Sequence, residues 1–285
     1  MDALHMIDCD NSSISTSIPA AASPLDMRIN WTGEHSKPQH PARAFADAVR
    51  TKAAIEVLAK TSEFAKIGLA ARNALLGAAV KRTFGDSEFI YLQDDDADHL
   101  YFVVSGHIRL SYLMEDGSAI LYAILPPGES FGELGVFENN SYCDMATAVG
   151  PTVVAGVSAR VFRALSEKHP DLNAALARLV ARRYRSYVGL MQNLSLKTLP
   201  ARLAQALLRL VDQLATRSSF GNREASYVGA MVTQADLGLM ARGARGNVNR
   251  ALKSWERSGW IAIHERSIFI LNRGKLEGLA IEEGI

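Results

Sequence analysis

Cysteine is almost missing from this sequence: Cys9 and Cys143 are the whole complement in 285 residues. Two thiols that far apart make neither a disulfide framework nor a Cys-rich metal site. Nor can they supply the four ligands of an iron–sulfur cluster within one chain. Such usage fits a reducing cytoplasm. Long apolar runs are lacking too. None approaches the ~20 residues that a membrane helix needs, so no membrane partner is expected. The opening residues, with Asp2, Asp8 and Asp10, lack the basic start and apolar core of a secretory signal. Charge excess is also absent, with 31 Lys and Arg against 30 Asp and Glu. There is no Ser-His-Asp candidate cluster, metal-ligand spacing or P-loop, so an enzyme is not expected.

What is present is organised in blocks. The length suggests two domains, and a hydrophobic fraction of 48% supplies more than one core. Residues 195–285 hold 13 Lys and Arg against 8 Asp and Glu, a local excess of positive charge that leaves the rest of the chain acidic. That asymmetry fits an acidic sensor joined to a basic DNA-binding module. Residues 1–42 contain Pro19, Pro24, Pro38 and Pro41 among many Ser and Ala, and read as a tail with little to bury. Met27 is an alternative start. A helix is expected over Ala44–Leu58, with Phe45, Val49, Ile55 and Leu58 as its apolar positions.

From Phe84 the texture is that of strands. Phe89–Leu92, Leu100–Val104, His107–Leu113, Ala119–Leu125, Ala146–Val149 and Thr152–Val157 are short apolar or alternating runs. They are broken by Asp94–Asp98, Ser105-Gly106, Glu115–Ser118 and Pro126–Glu129. Many short strands at close spacing predict a small all-β barrel or roll, and the sensor domain is set at 43–165. Over 166–194, Leu172, Leu176, Leu179, Arg183, Tyr187, Leu190 and Leu194 recur at steps of three and four. That is one helix of about six turns with a single stripe. A second copy of the helix would cover the stripe, giving a homodimer seam of Leu172, Leu176, Leu179, Tyr187, Leu190 and Leu194. Packing on the chain's own roll is the alternative. Arg183 within the stripe needs a partner either way.

The most informative stretch is Val232–Ser258. Thr233 can cap a helix from Gln234 to about Met240. Ala241–Ala244 is a turn containing Gly243, and a second helix follows from Arg245 to about Arg257. Two helices joined by such a turn make a helix-turn-helix. On a wheel of about 100° per residue, Val248, Ala251, Leu252 and Trp255 share the core side. Gly246, Asn249, Arg250, Lys253 and Arg257 lie opposite, with Arg245 and Asn247 on the flanks. Arg can bond guanine and Asn adenine bidentately in the major groove. Lys253 and Arg257 are placed for phosphates, and Thr233 and Gln234 belong to the same interface. Ile261–His264 and Ile268–Leu271 form a wing.

Three segments together resemble the cyclic-AMP receptor and fumarate-nitrate regulator (CRP/FNR) family over residues 60–280. They are Tyr101–Gly106, Pro127–Phe137, and Val232–Gln234 with Arg245–Leu252. The resemblance implies an α+β fold: an N-terminal antiparallel β-roll of the cyclic-nucleotide-binding kind, a long dimerisation helix, and a C-terminal winged helix-turn-helix over 195–285. It implies a sequence-specific transcription regulator, homodimeric on palindromic double-stranded DNA, with RNA polymerase as a further partner. An effector pocket is then expected around Phe131, Gly132, Glu133, Leu134, Cys143, Asp144, Arg183 and Tyr187. Gly132 would let backbone amides approach an anionic phosphate. In the family Glu133 would meet the ribose, and an arginine and a serine would follow where this sequence has Cys143 and Asp144. Tyr187 and Val188 likewise replace a polar pair that contacts adenine. Cyclic AMP is therefore not the expected effector; a cyclic dinucleotide, another small molecule or none remain open. Haem at His99 or His107, a redox role for Cys143 and a cation at Asp94–Asp98 are weaker readings. The recognition helix departs as well, since Gly246 stands where the family has a base-reading Glu. The alternative function is a nucleotide-responsive module acting on a protein partner, which would not need a basic recognition helix.

Overall fold

The computed structural model describes residues 63–282 apart from Asn139, Ala215 and Asn222. The tail at 1–42, the helix expected over Ala44–Leu58, and Cys9 lie outside the described residues. A 3-10 turn at Glu63–Lys66 and helix α1 (Leu69–Gly77) lead into the roll. Its strands are β1 (Val80–Phe84), β2 (Phe89–Tyr91), β3 (His99–Leu113), β4 (Ala119–Leu125), β5 (Ser130–Phe131) and β6 (Met145–Ser158). The six form one antiparallel sheet in the order β1-β6-β3-β4, with β2 on β6 and β5 on β3. Helix α2 (Glu133–Glu138) lies between β5 and β6. After the roll come α3 (Ala159–Lys168), the long α4 (Pro170–Ser195) and α5 (Leu199–Leu214). A second sheet, β7 (Arg217–Phe220), β8 (Arg223–Val228), β9 (Ile261–His264) and β10 (Ser267–Ile270), is ordered β7-β8-β10-β9. Helices α6 (Gln234–Ala241) and α7 (Arg245–Arg257) fall between its strands, and α8 (Arg273–Glu282) ends the described chain.

The roll, the long helix and the winged helix-turn-helix are those expected, but two strand breaks are not. The sequence breaks at Ser105-Gly106 and separates Ala146–Val149 from Thr152–Val157, yet β3 and β6 run through both places. The two irregularities face each other across the ladder, where the register shifts between Val103, Ser105 and His107. Gly106 has φ +79°, and a Cβ there would lie 2.3 Å from Thr152 Oγ1 and 2.7 Å from the Pro151 carbonyl. Glycine here makes a bulge in a continuing strand rather than a turn.

Strand β4 has two faces that belong to different cores. Tyr122, Ala123 and Leu125 are buried inside the roll, with Ile108, Leu110, Phe131 and Val154. Leu121 and Ile124 are buried instead with the C-terminal helices, alongside Leu203, Leu207, Leu237, Val248 and Trp255. A register shift in β3–β4 between Leu110 and Ser111 changes the alternation and permits this. The C-terminal helices therefore share a core with the roll through β4.

The long helix opens with Pro170 in its first turn, where the missing N–H costs nothing. Its 26 residues span roughly 39 Å. The leucine stripe faces its own protomer. Leu172, Leu176 and Leu179 pack with Phe64, Leu75, Phe102 and Phe162 in a third core between the roll and the short helices. Leu190 is buried in the roll's core, with Tyr187 and Leu194 partly buried against it. The seam expected from these six residues is thus corrected, because intramolecular burial already covers that side of the helix.

Candidate nucleic-acid interface and effector pocket

Helix α6 begins with a full capping box. Thr233 Oγ1 accepts from the Asp236 amide at 3.1 Å, while Asp236 Oδ2 accepts from the Thr233 amide at 2.7 Å. This satisfies two of the helix's otherwise orphaned amides. The helix ends at Arg242, which adopts a left-handed conformation with φ 48°. The turn is tight: the Gly243 carbonyl lies 2.6 Å from where a Cβ of Gly238 would be. Gly243 in turn is pressed by Leu199, whose Cδ1 is 2.4 Å from the corresponding position. The backbone approach requires glycine at 238, whereas a Cβ at 243 would have to displace the Leu199 side chain.

Helix α7 has the face expected of it. Val248, Leu252 and Trp255 are buried, and Ala251 is half-buried. Arg245, Gly246, Asn247, Arg250, Lys253 and Arg257 are exposed, with Asn249 half-buried. Arg250 donates to the Asn247 side chain one turn back, so the two polar groups most suited to base edges lie together. A Cβ on Gly246 would meet nothing within 4 Å, so packing does not demand glycine there. Thr233 and Gln234 are half-buried at the head of α6. The wing tip Glu265-Arg266 is exposed, with both residues at positive φ. Arg242 in the turn and Arg266 at the wing tip are further exposed cations, which the helical wheel does not reveal. Turn residues carry no periodicity to reveal them.

The expected effector pocket is occupied by the protein's own side chains. Gly132, Glu133, Leu134, Gly135, Tyr142, Cys143 and Asp144 line a cavity of about 10 Å³, roughly the room one water needs. Arg183 reaches into the roll from α4 and is buried. Its Nε donates to Glu133 Oε1 at 2.7 Å and its Nη2 to the Ser130 carbonyl at 2.9 Å. Arg182, one residue earlier, makes a forked pair with Glu129 at 3.0 and 2.5 Å. The two acidic side chains of the Pro127–Phe137 segment are thus already matched to arginines. Gly132, with φ +80°, is needed for internal packing: a Cβ would sit 3.0 Å from the His99 carbonyl and 3.1 Å from the Tyr142 ring.

Asp144 does not project a charge into open space. It is buried, and its carboxylate accepts from the Tyr91 hydroxyl at 2.8 Å and from the Tyr122 hydroxyl. Burial raises its pKa above the ordinary value, against the opposing pull of those two hydroxyls. Tyr91 stacks on Tyr142 with ring centroids 3.7 Å apart, and Tyr187 donates to the Tyr122 hydroxyl at 3.2 Å. Cys143 Sγ lies 3.6 Å from the Tyr187 hydroxyl. Cys143 is exposed, but desolvation of its sulfur against the roll, with Asp144 next door, pushes its thiol up to about 11, which disfavours the reactive thiolate. Tyr187 faces the roll, whereas its neighbour Val188 faces outward. Among the described residues, no group of three or more His, Cys, Asp or Glu side chains is gathered as for a metal ion. No described helix is long and apolar enough to cross a membrane.

The Arg183–Glu133 pair is the costliest of these contacts to break singly. Glu133→Ala should leave a buried guanidinium without its counter-ion and lower stability by about 3–5 kcal/mol. The double variant Glu133→Leu/Arg183→Met should be distinctly milder, because neither charge remains buried. Urea denaturation of the three proteins measures the difference.

Comparison with known proteins agrees with this architecture. The cyclic nucleotide-binding domain model matches residues 81–169, and the Crp-like helix-turn-helix domain model matches residues 201–279. The transcriptional regulator LdrP of Thermus thermophilus is 31% identical over 204 residues, covering 70% of this chain and 98% of that protein. A CRP-like cAMP-activated global transcriptional regulator of Mycobacterium tuberculosis is 25% identical over 221 residues, covering 78% of this chain and 97% of that protein. Among solved structures, FixK2 from Bradyrhizobium japonicum is similar with a TM-score of 0.61 and 26% identity, over 70% of this chain and 96% of that one. With the roll, the exposed basic recognition helix and the wing in place, the chain is a transcription regulator of the CRP/FNR family, carrying a helix-turn-helix DNA-binding domain.

Proposed function

We propose that this regulator acts as a homodimer on a palindromic DNA site, and that cyclic AMP does not gate it. The observation that carries the DNA reading is the α7 face, where Arg245, Asn247, Arg250, Lys253 and Arg257 are exposed together beside a capped α6. Arg250 and Asn247 have the donors and acceptors for base edges, and Lys253 and Arg257 follow toward the phosphates.

The dimer is supported by the face of α4 opposite the buried leucines. Ala174, Ala177, Ala181, Tyr184, Val188 and Met191 recur at alternating steps of three and four. That is a strict heptad seam. Tyr184 is 67% exposed and Met191 72%, large apolar exposures on an otherwise well-packed helix. The alanines at the start of the stripe would let two helix backbones approach closely. A second copy of the same helix is the self-complementary partner such a seam requires.

The effector reading rests on the small size of the cavity and on the pairing of Arg182 and Arg183 within the chain. A cyclic phosphate would find no free cation in it, and a nucleotide would have to displace the tyrosine cluster. The relative from Mycobacterium tuberculosis is named as cAMP-activated; this chain is read as having kept that roll and filled its pocket.

Three measurements test these readings. Arg250→Ala should cost about 1–3 kcal/mol on a selected palindrome and relax one base position. Lys253→Ala should weaken binding evenly across sequences and lower the salt slope by about one. Wild-type specificity surviving both changes would refute the α7 assignment.

Tyr184→Glu and Met191→Glu should give folded monomers by light scattering and circular dichroism. Leu179→Glu should instead unfold the protomer, because its site is internal. A dimer persisting in both surface variants would overturn the seam.

Titration calorimetry of the full chain with cyclic AMP should show no micromolar binding. Micromolar binding coupled to tighter DNA binding would reverse the effector reading.

A further inference from the structure

The first helix of the helix-turn-helix is gripped at both ends by the rest of the chain. At its head, Arg109 of β3 makes a forked ion pair with Asp236: Nε to Oδ1 at 2.6 Å and Nη2 to Oδ2 at 2.9 Å. The residues are 127 positions apart, and their side chains are 18% and 6% exposed. Asp236 is also the capping-box residue of α6, so the sensor strand holds the same carboxylate that starts the helix. At its foot, the Met240 carbonyl accepts from Asn193 Nδ2 at 3.5 Å, and the Ala241 carbonyl accepts from Arg202 Nε at 2.7 Å. Asn193 lies near the end of α4, the helix that carries the exposed heptad. Between these two grips, Leu121 and Ile124 of β4 pack into the same core as α6 and α7.

Two fixed points and a packed middle leave a helix little freedom to rotate on its base. The forked geometry adds direction to charge, since a guanidinium and a carboxylate meet well in one plane only. The clasp leaves the α7 DNA face exposed, so it is compatible with DNA binding rather than a shield over it.

The geometry points to Arg109 as a positioning residue that sets the angle of each recognition helix relative to the long helix, and thereby the half-site spacing the dimer accepts. This rests on the homodimer reading above. A dimer with rigidly held recognition helices matches two half-sites at one separation along the duplex. Freeing α6 at its head lets each helix-turn-helix swing and tolerate neighbouring separations. Neither Arg109 nor Asp236 lies on the exposed α7 face, so loss of the pair should leave recognition within one half-site untouched.

The test uses the full chain and a selected palindrome, together with versions whose half-sites are moved closer or farther by one and two base pairs, and a single half-site. Wild-type protein should lose about tenfold or more in affinity for a one-base-pair change. Arg109→Ala should flatten that difference to under about threefold, with unchanged binding to the single half-site. Arg109→Lys keeps the charge without the fork and should fall between. Arg109→Gln, closer in size, should flatten the profile as well, and is the variant to read should Arg109→Ala not fold. A loss of stability alone would reduce the active fraction equally on every duplex and leave the spacing profile unchanged. An unchanged profile in the folded Ala or Gln variant, against a clear wild-type preference, overturns the positioning role. A wild-type protein indifferent to spacing, while still reading the half-site, would overturn the dimer reading and this inference with it.

Discussion

The arrangement depends first on the pair between Arg183 and Glu133. A charged side chain in the middle of an apolar helix stripe can be buried only against an opposite charge with further hydrogen bonds. Glu133 supplies the charge, and the Ser130 carbonyl supplies a further acceptor. Because Glu133 opens α2 immediately after β5, its place in the roll is fixed by the sheet. Satisfying Arg183 therefore seats α4 on the roll in one rotation. That rotation buries Leu172, Leu176, Leu179 and Leu190, brings Tyr187 over Tyr122, and leaves Ala174, Ala177, Ala181, Tyr184, Val188 and Met191 outside.

The same rotation joins the effector region to the DNA-binding half. Tyr122 meets Asp144 and Tyr187 on the inner side of β4. Its neighbour Leu121, on the other side of the strand, lies in the core of the C-terminal helices. A change in the tyrosine cluster would have to pass only through one strand to reach α5 and α6. Close-packed interiors transmit such displacements because they leave few voids to absorb them. Nearby, Arg109 of β3 carries a second connection, from the ladder that contains β4 to the first turn of α6.

Much of the DNA-binding half is legible in the sequence. Thr233 at a cap, Gly243 in a short turn, and the wheel of α7 are local signals, set by residues within a few turns of one another. The helix bounds and the exposed set on α7 follow from them closely. The β7–β8 hairpin and α8 were not anticipated. Arg217–Phe220 is mostly exposed and only weakly apolar, and α8 carries Arg, Lys and two glycines. In the roll, the sequence breaks at Ser105-Gly106 and between Val149 and Thr152, and a sequence does not say that two breaks will lie opposite each other as bulges.

Composition, periodicity and capping by themselves determined the order of elements: a roll of short strands, one long helix, and a basic helix-turn-helix with a wing. These are properties of neighbouring residues, so they persist in a list of letters. Only the tertiary structure decided which side of α4 is inside, because both its stripes recur at steps of three and four. The choice falls to where Arg183 finds a carboxylate 50 positions away. The fate of the pocket was decided in the same way. The missing cation at Cys143 and Asp144 was visible in the sequence. That Asp144 turns inward onto two tyrosines, and that Arg109 crosses to Asp236, depends on side chains brought together from distant strands and helices. Long-range pairings of that kind leave no periodic trace, and only the folded chain selects among them.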